Sequence, residues 1–271
     1  MYNRSKPIYE VIPLPAAYAH LRFGNESIPR LPKEARLLAK HFSQLYEVGL
    51  QGPDLFFFYN PVLRSETGQL GYRFHRQSGR EFFGNAVEKL RRSPSDGAKA
   101  YLYGVLGHYC LDSLCHPFVH ATAETGEVGH TEMETDFDRA LMKLDGIDKP
   151  HLHDLSAHFR LTAGECATAA LFYAPASARD IRKCVRDMAL VGRLTATKHR
   201  KLAGTLLSFG GKNGREMLMT ERPNPRCRRT TAELTELYHQ AMEKYPRLCE
   251  QLSRAISAGE PLGDDFAACF G

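Results

Sequence analysis

Apolar residues recur at helical spacing through most of the 271-residue chain, and no stretch of useful length alternates as a strand would. Pro32 to Val48 sets Leu37, Leu38, Phe42, Leu45 and Val48 on one face between an opening proline and Gly49, which predicts one amphipathic helix. Before it, Pro7, Pro13 and Pro15 mark an irregular arm, and a short helix is expected from Ala16 to Phe23, stopped by Gly24. Arg64 to Phe74 reads as a loop, with His75 after it at the surface. Ser78 and Glu81 form a capping box for a helix through Arg91, and Ser95-Asp96-Gly97 starts a central helix. A Gly126 to Gly129 turn precedes a helix opening at His130, with Phe137, Leu141 and Leu144 on its apolar side. Beyond Asp154 the same signals predict helices at Cys166 to Tyr173, Ser177 to Arg193, Lys198 to Phe209 and Ala232 to Ala258, the last capped by Thr230 and Glu233. With no internal repeat, the expected fold is all-α: one compact domain over residues 1–271, in which 150–271 is a helical packing half.

Composition narrows the picture only slightly. A chain that is 43% hydrophobic and 25% charged is globular and not disordered. The net charge of +5 is spread along the sequence except at Arg222 to Arg229, which reads as a solvated loop, so no specific nucleic-acid partner is expected. No run of 18 apolar residues exists and the first residues lack the apolar region of a signal peptide, which makes a cytoplasmic location the default expectation. Seven cysteines without a CxxC pair are expected to be reduced core or surface thiols.

The chemistry concentrates in Tyr101 to His120, where His108, Asp112 and His116 recur every four residues inside an apolar run and so share one helix face. Any one of these histidines alone reads as a core residue satisfied by a hydrogen bond. The triplet does not, because a buried Asp flanked by two His on its own face is more simply explained by a cation. His108 and His116 stand about 12 Å apart along the axis, too far to grip one ion, so the helix is expected to serve at least two metals. Asp112, between them, is the natural bridge. Gly104, one turn before His108, is expected to leave room for a bound group, and Pro117 to end the helix at His116. His130 and Glu134 form a second i, i+4 ligand pair. Asp54, between a Gly-Pro turn and the aromatic run Phe56-Phe57-Phe58, needs a partner, and a metal is one candidate. His151-Leu152-His153-Asp154 reads as a loop before a helix cap.

In order along the chain, His20, Asp54, His75, His108-Tyr109, Asp112, His116-Pro117, His130 and Glu134 resemble the ligand series of the zinc-dependent phospholipase C family. The resemblance spans Ala16 to Glu134. It departs from the family in the short gap between Asp112 and His116, and in the absence of any Trp, the processed N-terminal residue that completes a metal site in secreted members. The resemblance implies a compact, nearly all-helical domain shared with single-strand-specific nucleases, and two or three zinc ions. One would be held by Asp54, His75, His108 and Asp112, a second by His116, His130 and Glu134, and a third by His20 and Asp112. It implies hydrolysis of a phosphodiester by an activated water that Asp54 orients or deprotonates. The substrate would be a phospholipid, with peripheral membrane contact. The alternatives are a nuclease or nucleotidase, for which Phe56 to Tyr59 could supply stacking faces, and a zinc protein without catalysis.

Overall fold

A computed structural model describes residues 17–60, 65–208 and 214–271. The described residues form eleven α-helices: α1 Ala17–Ser27, α2 Lys33–His41, α3 Ser43–Gly49, α4 Glu66–His75, α5 Gly79–Arg92, α6 Asp96–Glu124, α7 His130–Leu144, α8 Ala163–Ala170, α9 Ala178–Thr195, α10 Arg200–Ser208 and α11 Arg228–Ala258. Among them no strand occurs, and the one extended pairing is an isolated antiparallel bridge between Ser78 and Cys269. The all-α expectation therefore stands.

The axis is α6. From Ala98 to Asp112 all its residues but Lys99 are buried, as expected of a helix that is apolar all round. Helices α1, α2, α3, α5, α7, α8 and α11 pack around it. The capping residues work as the sequence indicates: Ser78 accepts from the Glu81 N–H, Ser95 from Ala98, Thr162 from Glu165 and Ser177 from Asp180. The helix α11 buries Leu234, Tyr238, Ala241, Met242, Tyr245, Leu248, Cys249 and Leu252 on one stripe, and a left-handed Gly259 ends it.

Several expected boundaries move, each for a packing reason. The helix expected over Pro32 to Val48 breaks at Phe42 (φ −112°, ψ 47°) into α2 and α3. The break lets α3 lie against α6 where Gly49 meets Gly104, whose Cβ, if it had one, would stand 2.2 Å from the Tyr46 carbonyl oxygen. Gly104 therefore serves a close helix crossing, and the room expected there for a bound group is taken by α3. Gly24 does not stop α1, because the Leu50 side chain occupies the place of its Cβ and the helix continues to Ser27. The loop expected over Arg64 to Phe74 is instead mostly α4, capped by Ser65, and His75 at its end is buried rather than at the surface. Pro117 does not end α6, which runs on to Glu124: burial of Val119 and Thr122 outweighs the roughly 3 kcal/mol a helical proline costs. Thr230 lies inside α11, its hydroxyl bonded to the Cys227 carbonyl, and so is not a cap. In the basic cluster, Arg226 reaches back to Glu132 of α7, so that segment is anchored rather than merely solvated. The arm before Ala17 and the end at Phe209 to Gly211 lie outside the described residues. All seven cysteines are free, and only Cys269 is exposed.

Candidate metal centre

Five segments meet at the middle of α6. From α6 come His108, Asp112 and His116, from α1 His20, from α4 His75, and from α7 His130 and Glu134. Asp54 comes from a 3₁₀ turn, Gly52–Phe58. Gly52 is left-handed (φ 49°), and a Cβ there would meet the His108 ring at 2.4 Å, so glycine lets the turn back directly onto that histidine and present Asp54 beside it. All these residues are buried except His130, which is half-buried.

The ligand atoms of seven of these residues fall into two groups, each within 4.8 Å: His20, Asp54, His108 and Asp112, and then His116, His130 and Glu134; His75 belongs to neither. Asp112 faces several rings at once, with Oδ1 3.2 Å from His20 Nε2 and Oδ2 2.9 Å from His108 Nε2. His116 Nε2 lies 3.8 Å from Asp112 Oδ2 and 3.6 Å from Glu134 Oε1, so it stands between the groups. His75 Nε2 is 3.0 Å from Asp54 Oδ1, and its Nδ1 bonds the Gly71 carbonyl oxygen at 2.7 Å, which fixes the ring. The rings of His20 and His108 stack at 4.5 Å.

Charge in the centre is set by the contest between burial and the mutual attraction of its carboxylates and imidazoles. Burial alone would raise the Asp112 carboxyl, but the charges of His108, His116 and His20 hold it well below the carboxylate range. Glu134 is likewise taken down to about 2 against its burial, chiefly by His130. Burial opposes protonation of His20, yet the Asp112 charge lifts it to about 9. Burial wins at His108, whose pKa is lowered. The donor set passes a direct test of fit. Both ring nitrogens of His108, Asp112 Oδ2, Glu134 Oε2 and the Nδ1 atoms of His20 and His116 are buried without a hydrogen-bond partner. Buried polar atoms are rarely left so. His108 Nε2 and Asp112 Oδ2 lie 2.9 Å apart without hydrogen-bond geometry, as two lone pairs aimed at a common point would. Imidazole and carboxylate donors without thiolate suit zinc.

The family model described as zinc dependent phospholipase C matches residues 19–185, a span that holds all eight of these residues. The chain belongs to this family. No curated protein and no solved structure matches it. Membership makes it, at family level, a zinc-dependent phosphodiesterase, and the two groups of potential ligands agree with that. Among the described residues no helix is long and apolar enough to cross a membrane.

Seven of the eight expected residues thus fall into the two groups, His20 with Asp54 and His108, while His75 stands beside Asp54 outside both. Two neighbours escaped the sequence reading. His120, exposed, continues the α6 series by one more turn, and its ring lies 5.3 Å from His116 and 5.2 Å from His130; burial and those two rings lower its pKa to about 4. Asp138 continues the α7 series and accepts from the N–H groups of Tyr18 and Ala19, capping the first turn of α1 and so seating His20; burial raises it to about 7. The signal for both was the four-residue spacing already in use. His151, His153 and Asp154 join neither group, and Asp154 caps Ser156. Phe56, Phe57 and Phe58 are buried, Phe56 against Phe74 and Tyr173 and Phe57 against Tyr72 and His75, and are not free stacking faces. A cleft lined by Phe58, Met142, Met188, Val191, Met217 and Met219, with Asp138, His151 and His153 on its polar side, reaches α7 at Thr131 and Thr135.

Proposed function

We propose that this chain cleaves phospholipids on the glycerol side of the phosphate, in the manner of a phospholipase C. The observation that carries the reading is Asp112, whose two oxygens face different histidines, as a carboxylate shared between neighbouring ions must. In this reading Asp54, His75, His108 and Asp112 hold one zinc, His116, His130 and Glu134 a second, and His20 with Asp112 a third. When bound, the ions supply a water that deprotonates near neutral pH and positive charge opposite the phosphoryl oxygens. Asp54 orients the attacking water and takes its proton on a carboxylate oxygen, while the Gly71 carbonyl, accepting from His75 Nδ1–H, fixes the His75 ring beside it. The protein also excludes bulk solvent, since these carboxylates are all buried.

Burial of Phe56 to Phe58 favours a lipid over a single-stranded nucleic acid, and the methionine-lined cleft suits an acyl chain. Peripheral contact with a lipid surface is part of this reading, as is a single domain in which residues 150–271 pack the centre from behind. Metal analysis joined to three assays tests it. Bound zinc is expected, with a phosphatidylcholine analogue and a bis-nitrophenyl phosphodiester hydrolysed faster than single-stranded DNA, and with activity lost in EDTA and restored by zinc. Zinc held without turnover of any of the three would leave a structural metal, and preferential DNA cleavage would make the chain a nuclease.

A further inference from the structure

The last residues run directly into the metal centre. Phe266 and Phe270 are fully buried, Phe270 against Phe82, Phe83 and Tyr109 and 6.1 Å from the His108 ring. The Tyr109 hydroxyl donates to the carbonyls of Asp265 and Ala268. Gly79 N–H donates to the Ala268 carbonyl at 2.8 Å, Ser78 bridges Cys269, and Gly271 N–H donates to the His75 carbonyl at 3.2 Å. This path seats Gly271 on the edge of the His116 ring: a Cβ at Gly271 would lie 1.7 Å from His116 Nδ1 and 2.6 Å from Cε1. Only a residue without a side chain can stand there.

His116 shows why this matters. Its Nε2 faces Glu134 and Asp112, so in a neutral, ligating ring the proton sits on Nδ1. A ligating histidine ordinarily donates that second N–H to a carboxylate or carbonyl, which fixes its tautomer and orientation. His116 Nδ1 is buried and has no such partner, and the group lying against it is the Gly271 main chain. We propose that Gly271 is a positioning residue of the metal centre: its main chain packs against the edge of the His116 ring and so holds it with Nε2 toward the ion shared with His130 and Glu134. The inference rests on the reading of these three residues as zinc ligands. It makes the tail a wall of the site, with contacts to His75, His108 and His116 that no substitution at the ligands themselves would reveal.

Gly271→Ala and Gly271→Val test it, with Gly84→Ala, whose Cβ meets nothing within 4 Å, as control. Zinc affinities come from competition with a chromophoric chelator, and the visible spectrum of the cobalt-substituted protein reports ligand geometry. Both Gly271 variants are expected to weaken one ion by roughly 10- to 100-fold and to change the cobalt spectrum, while metal-free melting stays at the wild-type temperature. The nearest atoms a Cβ at Gly271 would meet all belong to the His116 ring, so metal-free melting separates a folding defect from displacement of that ring. Wild-type zinc affinity and spectrum in both variants would overturn this inference and leave the proposed function standing. A wild-type chain that binds no zinc would overturn both.

Discussion

At the scale of single residues the centre was largely legible, because ligands held by one helix repeat at a spacing the sequence displays. His108, Asp112 and His116 announce themselves this way, as do His130 and Glu134. His75 did not, since its burial depends on α4, a segment with two glycines whose helical character comes from the Ser65 cap and from packing. Asp112 should be the most costly residue to change. Asp112→Asn is expected to lower the metal content by more than one ion per chain and abolish hydrolysis; loss of a single zinc with activity retained, measured by metal analysis and turnover, would show that the carboxylate is not shared. His20 gives a pH signature in metal-stripped protein. Its folded pKa of about 9 lies above the unfolded value, so it contributes stability below pH 6.5 that is lost as pH rises through 9, at most about 3 kcal/mol. Zinc must displace that proton, so affinity should climb over the same window. Thermal unfolding and zinc titration across pH 6 to 9 read both, and flat profiles would contradict the coupling.

At the scale of elements, what local chemistry dictates was readable and what neighbours dictate was not. Ser78, Ser95 and Ser177 open the helices they were expected to open, because an N-cap is decided within four residues. Pro117 and Gly104 were misjudged because their roles are set across the core: packing carries α6 through the proline, and α3 needs the glycine. Gly104→Ala would press a methyl on the Tyr46 carbonyl and the Gly49 backbone, atoms that cannot rotate away. We expect a loss of about 1 to 3 kcal/mol, seen as a lower melting temperature, with zinc content unchanged. A fall in zinc content with unchanged melting would return Gly104 to the site.

At the scale of the whole molecule, the residues that meet on Asp112 come from α1, the Gly52–Phe58 turn, α4 and α6, with α7 closing the second group, a convergence that no periodicity encodes and only the family resemblance foretold. Ions bound there tie these elements together, so chelation should lower the melting temperature by the binding free energy the native state loses, RT ln(1 + [L]/Kd) for each site. An unchanged melting curve after verified metal removal would show that packing alone holds the fold. The ring of His120, set 5.2 to 5.3 Å from His130 and His116, has a consequence for the order of assembly. His116 and His120 are neighbours on a single helix, so they can seize an ion within the time a helix takes to form, before α1 and the turn bearing Asp54 have closed their long loops. Zinc caught that early would sit on the wrong partners and have to be released before Glu134 could take its place. Refolding from denaturant should accordingly be slower with zinc present than when the chain folds bare and is loaded afterwards, and His120→Ala should remove the difference.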